Sequence, residues 1–321
     1  MKARHLHGTE IVLTEVGFGS ASLGNLRTTV SEDDARRAVD AAWEGGVRYF
    51  DTAPHYGLGL AEERLGRALA PYPRSEYVLS TKVGRLLAPN AHPQGRDTEG
   101  FDVPDDRVRV WDFSPDGIRQ SLQQSLERLR VEHIDIAFAH DPDQHHPAAL
   151  AEAIDTLNSL VAHGTIRAAG PGTNSSEATV EGFAQGATTA MLAGRYTLLD
   201  QSAGAAALPE AQRNGRSIIA AGAFNSGILA TDVPDEAATF EYLPASGDVR
   251  RRVAALGPLC TSFGITVPAA AIAFPLTSPH VASVVLGMRN TTEVRRNLDL
   301  YERGVDADFW SAWMTEGSNE G

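Results

Sequence analysis

Cysteine is almost absent from this 321-residue chain, and the one thiol, Cys260, excludes an intrachain disulfide and any cysteine metal cluster. Cys260 is expected to be a small buried residue on a helix. Basic charge is scarce too: 28 Lys and Arg stand against 41 Asp and Glu, a formal net charge of −13. A surface that neutralises phosphates needs clustered cations, so no nucleic-acid partner is expected. Long apolar runs are also missing. The most apolar, Val267 to Leu276, is about half of the roughly 20 residues that a membrane span requires, so no membrane association is expected. The opening Met1-Lys2-Ala3-Arg4-His5 leads into polar sequence rather than an apolar signal core, which predicts a cytoplasmic protein.

What is present is an alternation. Short, nearly all-apolar runs occur at Val47 to Asp51, Tyr77 to Lys82, Ile134 to His140, Ile166 to Gly170, Thr189 to Gly194, Ser217 to Gly222 and Val281 to Gly287. Such runs suit parallel strands buried on both faces. Between them lie helical patterns at Glu32 to Glu44, Ala61 to Ala70, Pro115 to Leu129, Pro147 to Ala162, Glu177 to Gln185, Ala205 to Asn214 and Asp248 to Phe263. Ser31 and Ser114 are helix-start signals. An eighth strand fits Val16 to Ser20, after a hairpin near Gly8. Eight strand–helix units predict a single α/β domain over residues 1–321, a closed (β/α)8 TIM barrel. The rival is an open doubly wound sheet; against it, Gly17-Phe18-Gly19-Ser20 lacks the third glycine of a dinucleotide fingerprint. Two long segments, Gly84 to Phe113 and Phe224 to Gly247, are expected as lids among the βα loops at the C-terminal face.

In a barrel the C-terminal strand ends converge, so polar residues there are the candidates for chemistry. Asp51 ends one strand, Lys82 another and His140 a third, with Tyr56 close behind Asp51. A lysine buried at the end of an apolar strand requires a compensating carboxylate, which Asp51 can supply. A cation beside a tyrosine favours tyrosinate, so the Tyr56 phenol is expected to titrate lower than usual and to exchange a proton with an alcohol or carbonyl oxygen, oriented by His140. The hydride carrier must then be a cofactor.

The segments Phe50-Asp51-Thr52-Ala53-Pro54-His55-Tyr56-Gly57, Ser80-Thr81-Lys82-Val83-Gly84, Ile134-Asp135-Ile136 to His140-Asp141, Gly172-Thr173-Asn174, and Gly287-Met288-Arg289 with Glu293 and Asn297 resemble the aldo-keto reductase superfamily. The resemblance runs over nearly the whole chain. Met191 to Gln201 and Phe224 to Gly227 look most like the branch of D-threo-aldose (L-fucose) 1-dehydrogenases, L-galactose dehydrogenases and pyridoxal 4-dehydrogenases. It implies a nicotinamide cofactor and a catalytic tetrad of Tyr56, Lys82, Asp51 and His140. By position, Gly19, Ser20 and Ala21 would line the nicotinamide and Asn174 its carboxamide. Phe224, Asn225, Ser226 and Gly227 would meet the pyrophosphate, and Gly287, Arg289, Glu293 and Asn297 the adenosine end. His55 and Trp111 would face the substrate. Arg289 could hold a 2′-phosphate, whereas Glu293 would repel one and could bond a free ribose hydroxyl, so NAD is expected, with NADP as the alternative.

Three departures stand out. Small residues, Ala21 and Ala193, occupy positions where related reductases often carry Trp and Gln. Pro171 in Gly170-Pro171-Gly172 cannot donate a ladder hydrogen bond, which predicts that its strand ends early.

The expected function is NAD(P)-dependent oxidation of a sugar hemiacetal to a lactone, or of a related small polar alcohol such as pyridoxal. NADPH-dependent aldehyde or ketone reduction is the alternative. A non-catalytic nucleotide-binding subunit and a metal-dependent hydrolase using His5, His7, His145 and His146 are the rivals from other classes. The intact tetrad argues for the enzyme, and no metal is expected. The partner is a small molecule, and the chain is expected as a monomer or homodimer.

Overall fold

The computed structural model describes residues 1–317. The chain opens with an antiparallel hairpin, β1 (Ala3–His5) and β2 (Val12–Thr14), then runs through β3 (Val16–Gly19), β4 (Tyr49–Asp51) and β5 (Val78–Val83). A second antiparallel ribbon follows, β6 (Arg85–Pro89) with β7 (Arg107–Trp111). After it come β8 (Ile136–His140), β9 (Ala168–Thr173), β10 (Thr189–Ala193) and β11 (Ser217–Ala221). A two-residue-per-strand hairpin, β12 (Thr239–Phe240) and β13 (Leu243–Pro244), precedes β14 (Val281–Gly287).

Strands β3, β4, β5, β8, β9, β10, β11 and β14 are parallel neighbours in that order and close into one barrel. The expected fold is therefore present. Around it lie α1 (Glu32–Glu44), α2 (Leu60–Leu69), α3 (Pro115–Leu129), α4 (Ala149–Ala162), α5 (Ser176–Ala184), α6 (Ala207–Arg213), α7 (Gly247–Ser262), α8 (Val267–Ala273), α9 (Thr291–Arg303) and α10 (Ala307–Gly317). The side chain of Ser31 accepts a hydrogen bond from the Asp34 amide and that of Ser114 from the Gly117 amide, so both helix starts fall where the sequence placed them. Cys260 is buried on α7. Among the described residues no single helix is long and apolar enough to cross a membrane.

Burial explains the arrangement. The strand residues facing outward pack with the inner faces of the helices, as Val16, Leu79 and Ala137 do with Val39, Leu65 and Ile118. The barrel interior at the lower end is filled by Tyr49, Val78, Ile136, Met191, Ile219 and Val285. Leu6, Ile11 and Leu13 of the first hairpin, none of them exposed, cap that fill. Arg4 fastens the hairpin by donating to the carbonyls of Leu276, Ser278 and Val281 at 2.8 to 3.1 Å.

Pro171 does not end its strand early. β9 continues through it to Thr173, pairing Ala139 with Pro171 and His140 with Gly172 on the β8 side. On the other side, the ladder to β10 is present only at Gly172 and Thr173. The missing N–H costs pairing with one neighbour while the other neighbour holds the strand. Gly182 makes room for the proline ring: a Cβ there would lie 2.8 Å from Pro171 Cγ.

Candidate active site

Asp51, Lys82 and His140 sit at the upper ends of β4, β5 and β8, three consecutive barrel strands. Lys82 Nζ donates to Asp51 Oδ2 at 2.7 Å and to the Thr52 carbonyl at 2.9 Å, while the Ser80 hydroxyl donates to Asp51 Oδ1 at 2.7 Å. Both side chains are buried. Burial alone would push the ammonium down, but Asp51 and the Tyr56 oxygen outweigh it and hold Lys82 above its usual range. Burial pushes the Asp51 carboxyl up, and Lys82 and Ser80 only partly offset that.

Tyr56 follows β4 and lies over this pair, with Lys82 Nζ 4.8 Å from its ring centroid. The backbone carrying it is fixed by a close approach. Gly57 adopts φ +61°, and a Cβ there would lie 2.3 Å from the Gly24 carbonyl oxygen, so the turn Ala21–Gly24 packs directly on the 56–57 peptide. The expected lowering of the phenol is not found. Burial pushes Tyr56 up to about 12, and Lys82 offsets that only in part because Asp51 acts the other way.

His55, Tyr56 and His140 form an aromatic corner with ring centroids 5.5 to 6.1 Å apart, closed by Phe101, which meets His55 edge-on at 5.2 Å. His55 is pushed down to about 2 by burial and then by Arg85, Arg109 and Lys82; His140 is pushed well down by burial and then by Arg85 and Lys82. Both imidazoles are neutral at physiological pH. His140 Nδ1 is buried and has no hydrogen-bond partner among the described residues.

Sequence reasoning missed the cations here. Arg85 is buried one residue beyond Gly84. It pairs with Asp141, approaches His55 Nδ1 at 3.3 Å and stacks 4.2 Å from the Trp111 ring centroid. Arg109 reaches in from β7, donating to the His55 carbonyl at 2.9 Å and to Asp97 at 2.6 Å. Asp141, desolvated, is raised to about 6 despite Arg85. The β6–β7 ribbon brings Trp111 and Arg109 to this wall, so the lid expected at Gly84 to Phe113 contains ordered structure. Its alternating Arg107-Val108-Arg109-Val110-Trp111 was the available signal.

The residues expected to hold a cofactor occupy the other half of the mouth, at the ends of β9, β11, β14 and β3. Gly287 ends β14 in register with Gly19 at the end of β3. Ser20 follows, its hydroxyl buried with no hydrogen-bond partner among the described residues, and Ala21 begins the next turn. Asn174 lies exposed just past β9, its carbonyl accepting from Arg195 Nε at 2.9 Å. Past β11, Phe224 leads into Asn225, Ser226 and Gly227, with φ of 44°, 63° and 100°. The turn is closed by its own backbone, the Asn225 amide donating to the Gly222 carbonyl at 2.8 Å and the Gly227 amide to the Phe224 carbonyl at 2.9 Å. Asn225 Nδ2 donates to the Gly194 carbonyl at 3.2 Å, and its buried Oδ1 has no partner among the described residues.

Beyond β14, Asn290 caps α9 by accepting from the Glu293 amide at 2.9 Å, and Glu293 Oε2 accepts from the Arg289 amide at 3.0 Å. Arg289 Nε and Glu293 Oε1 are 3.0 Å apart, so the two residues expected to oppose each other in cofactor choice form an ion pair. Asn297 is buried one turn further along α9.

Residues 15–315 match the aldo/keto reductase family. A D-threo-aldose 1-dehydrogenase of Pseudomonas sp is 41% identical, covering 94% of this chain and 93% of its own; a pyridoxal 4-dehydrogenase of Microbacterium luteolum is 35% identical over 98% and 97%. The structure of a glycerol dehydrogenase from Gluconobacter oxydans superposes with a TM-score of 0.78 at 26% identity, covering 98% of this chain and 94% of that one. The chain belongs to the aldo/keto reductase family and is an NAD(P)-dependent oxidoreductase.

Proposed function

We propose that the chain, acting as one domain, is an NAD-linked dehydrogenase that oxidises a small ring-shaped polar substrate, either a sugar hemiacetal to its lactone or an alcohol of the pyridoxal kind. The observation that carries this is the buried Lys82–Asp51 pair beneath Tyr56 and beside a neutral His140. The relatives' names support the substrate class. When bound, the nicotinamide supplies the hydride acceptor. The cradle fits such a group: Ser20 Oγ and Asn225 Oδ1 are buried without partners among the described residues.

In the oxidative direction the Tyr56 oxygen takes the substrate hydroxyl proton, as tyrosinate stabilised by Lys82. Asp51 keeps that ammonium charged and in place. His140, neutral, hydrogen-bonds the same substrate oxygen, and His55 and Trp111 wall the pocket. The Arg289–Glu293 pair supports NAD, because an arginine already neutralised by a neighbouring carboxylate is a poor host for a 2′-phosphate.

A second direction is favoured by one observation: Tyr56 keeps its proton up to about 12, which suits a general acid returning a proton to a carbonyl. The deciding measurement is absorbance at 340 nm with NAD+ or NADP+ and L-fucose, L-galactose, D-arabinose or pyridoxal, repeated in reverse with NADH or NADPH and simple aldehydes. NAD-linked oxidation of a sugar or pyridoxal is expected. Activity confined to NADPH-linked reduction overturns the dehydrogenase assignment. Tyr56→Phe should keep cofactor binding while turnover falls roughly 10²- to 10⁴-fold; unchanged turnover in that variant overturns the role of Tyr56.

A further inference from the structure

The β12–β13 hairpin turns through Glu241 and Tyr242, with φ of 50° and 64°. Two-residue turns with both residues left-handed favour Asn and Gly, and a bulky aromatic there is strained. The hairpin is nonetheless held on both sides. Arg27 donates to Thr239 Oγ1 at 2.8 Å, Arg195 pairs with Glu241, and Phe240 packs into the cluster of α7 and α8. Thr239 Oγ1 and the Tyr242 amide also bond Ser226, on its carbonyl and hydroxyl, both at 2.9 Å. The hairpin is thus fixed to the loop expected to meet the cofactor.

Tyr242 itself keeps 69% of its surface open, with Arg27 Cζ 5.5 Å from its ring centroid. Arg27 belongs to the segment that bridges to Phe101, the ring against His55 and Tyr56. The phenol of Tyr242 also lies within electrostatic reach of Tyr56, Lys82 and Asp141. Held between the Ser226 loop and the segment that bridges to Phe101, the ring stands at the rim of the catalytic mouth, and the strain in the turn is the cost of holding it there.

We infer that Tyr242 is a specificity-determining residue, an aromatic platform on which the apolar face of a ring-shaped substrate stacks while its reacting oxygen meets Tyr56 and His140. An aromatic side chain offers area at low entropic cost, and a cyclic substrate can use all of it, whereas a short acyclic aldehyde cannot. The inference rests on the functional reading above.

The test compares L-fucose oxidation with methylglyoxal reduction in Tyr242→Ala and Tyr242→Phe. Tyr242→Ala should raise KM for L-fucose roughly five- to tenfold relative to KM for methylglyoxal, with a smaller change in kcat. Tyr242→Phe, which keeps the ring, should restore most of the difference. NADH affinity, read by fluorescence quenching, checks that the hairpin still supports the cofactor loop. An unaltered ratio in an enzyme that oxidises L-fucose overturns the inference alone, as does a KM rise shared equally by both substrates or traced to lost NADH affinity. A parent enzyme that turns over methylglyoxal but no ring substrate overturns the functional reading and the inference together.

Discussion

Tyr56 stands above an ammonium that Asp51 holds charged, and in the proposed reaction its proton is the one that moves. Because the phenol is pushed up to about 12, oxidative kcat/KM should climb with pH across the neutral and mildly alkaline range, while the reductive rate stays level there. His55, pushed down to about 2, adds no acid limb in the working range. In Arg85→Met one of the charges opposing imidazolium is gone, so both histidines should titrate higher, while burial, the larger cause, still holds them low; imidazole NMR titrations identical to the parent's count against this role for Arg85. The four residues Asp51, Tyr56, Lys82 and His140 were legible because each ends or follows an apolar run, where a polar side chain needs a reason. Arg85 was not. It lies past the end of β5, as the first residue of β6, and its burial depends on Trp111 and Asp141, which sequence order sets far from it.

The turn Ala21–Gly24 and the 56–57 peptide meet backbone to backbone, which ties the position of Tyr56, the proposed acid–base group, to a loop on the neighbouring strand. Gly57→Ala would need a left-handed alanine and a Cβ 2.3 Å from the Gly24 oxygen. It should cost about 1–3 kcal/mol, visible as a lower denaturant midpoint, and should reduce kcat as Tyr56 moves. An alanine variant with parental midpoint and rate would show that the loop gives way freely. The helix starts at Ser31 and Ser114 were readable from capping chemistry, and most strands fell within two or three residues of their apolar runs. The β12–β13 hairpin was not readable, since two-residue strands have no period to detect. Pro171 shows the reverse error, a correct local rule overridden because one neighbouring strand suffices to hold it.

The mouth of the barrel divides: the proposed acid–base groups on β4, β5 and β8, and the expected cofactor residues at the ends of β9, β11, β14 and β3. A ligand that joins four strand ends should stabilise the fold as a unit. At 100 times its dissociation constant the gain is about 2.7 kcal/mol, so NADH should raise Tm by several degrees and, with Arg289 neutralised by Glu293, by more than NADPH does at equal concentration. A larger shift with NADPH would reverse the cofactor preference. Barrel closure itself was legible from the eight alternations, whereas the division of labour around it needed the strand order.

The first hairpin fills the opposite end with Leu6, Ile11 and Leu13, locked by Arg4. A barrel stoppered at its base has a single doorway. Every exchange of reactants with solvent then takes place at the one end where the strand ends carry polar side chains, and the hairpin at the far end bears on stability alone.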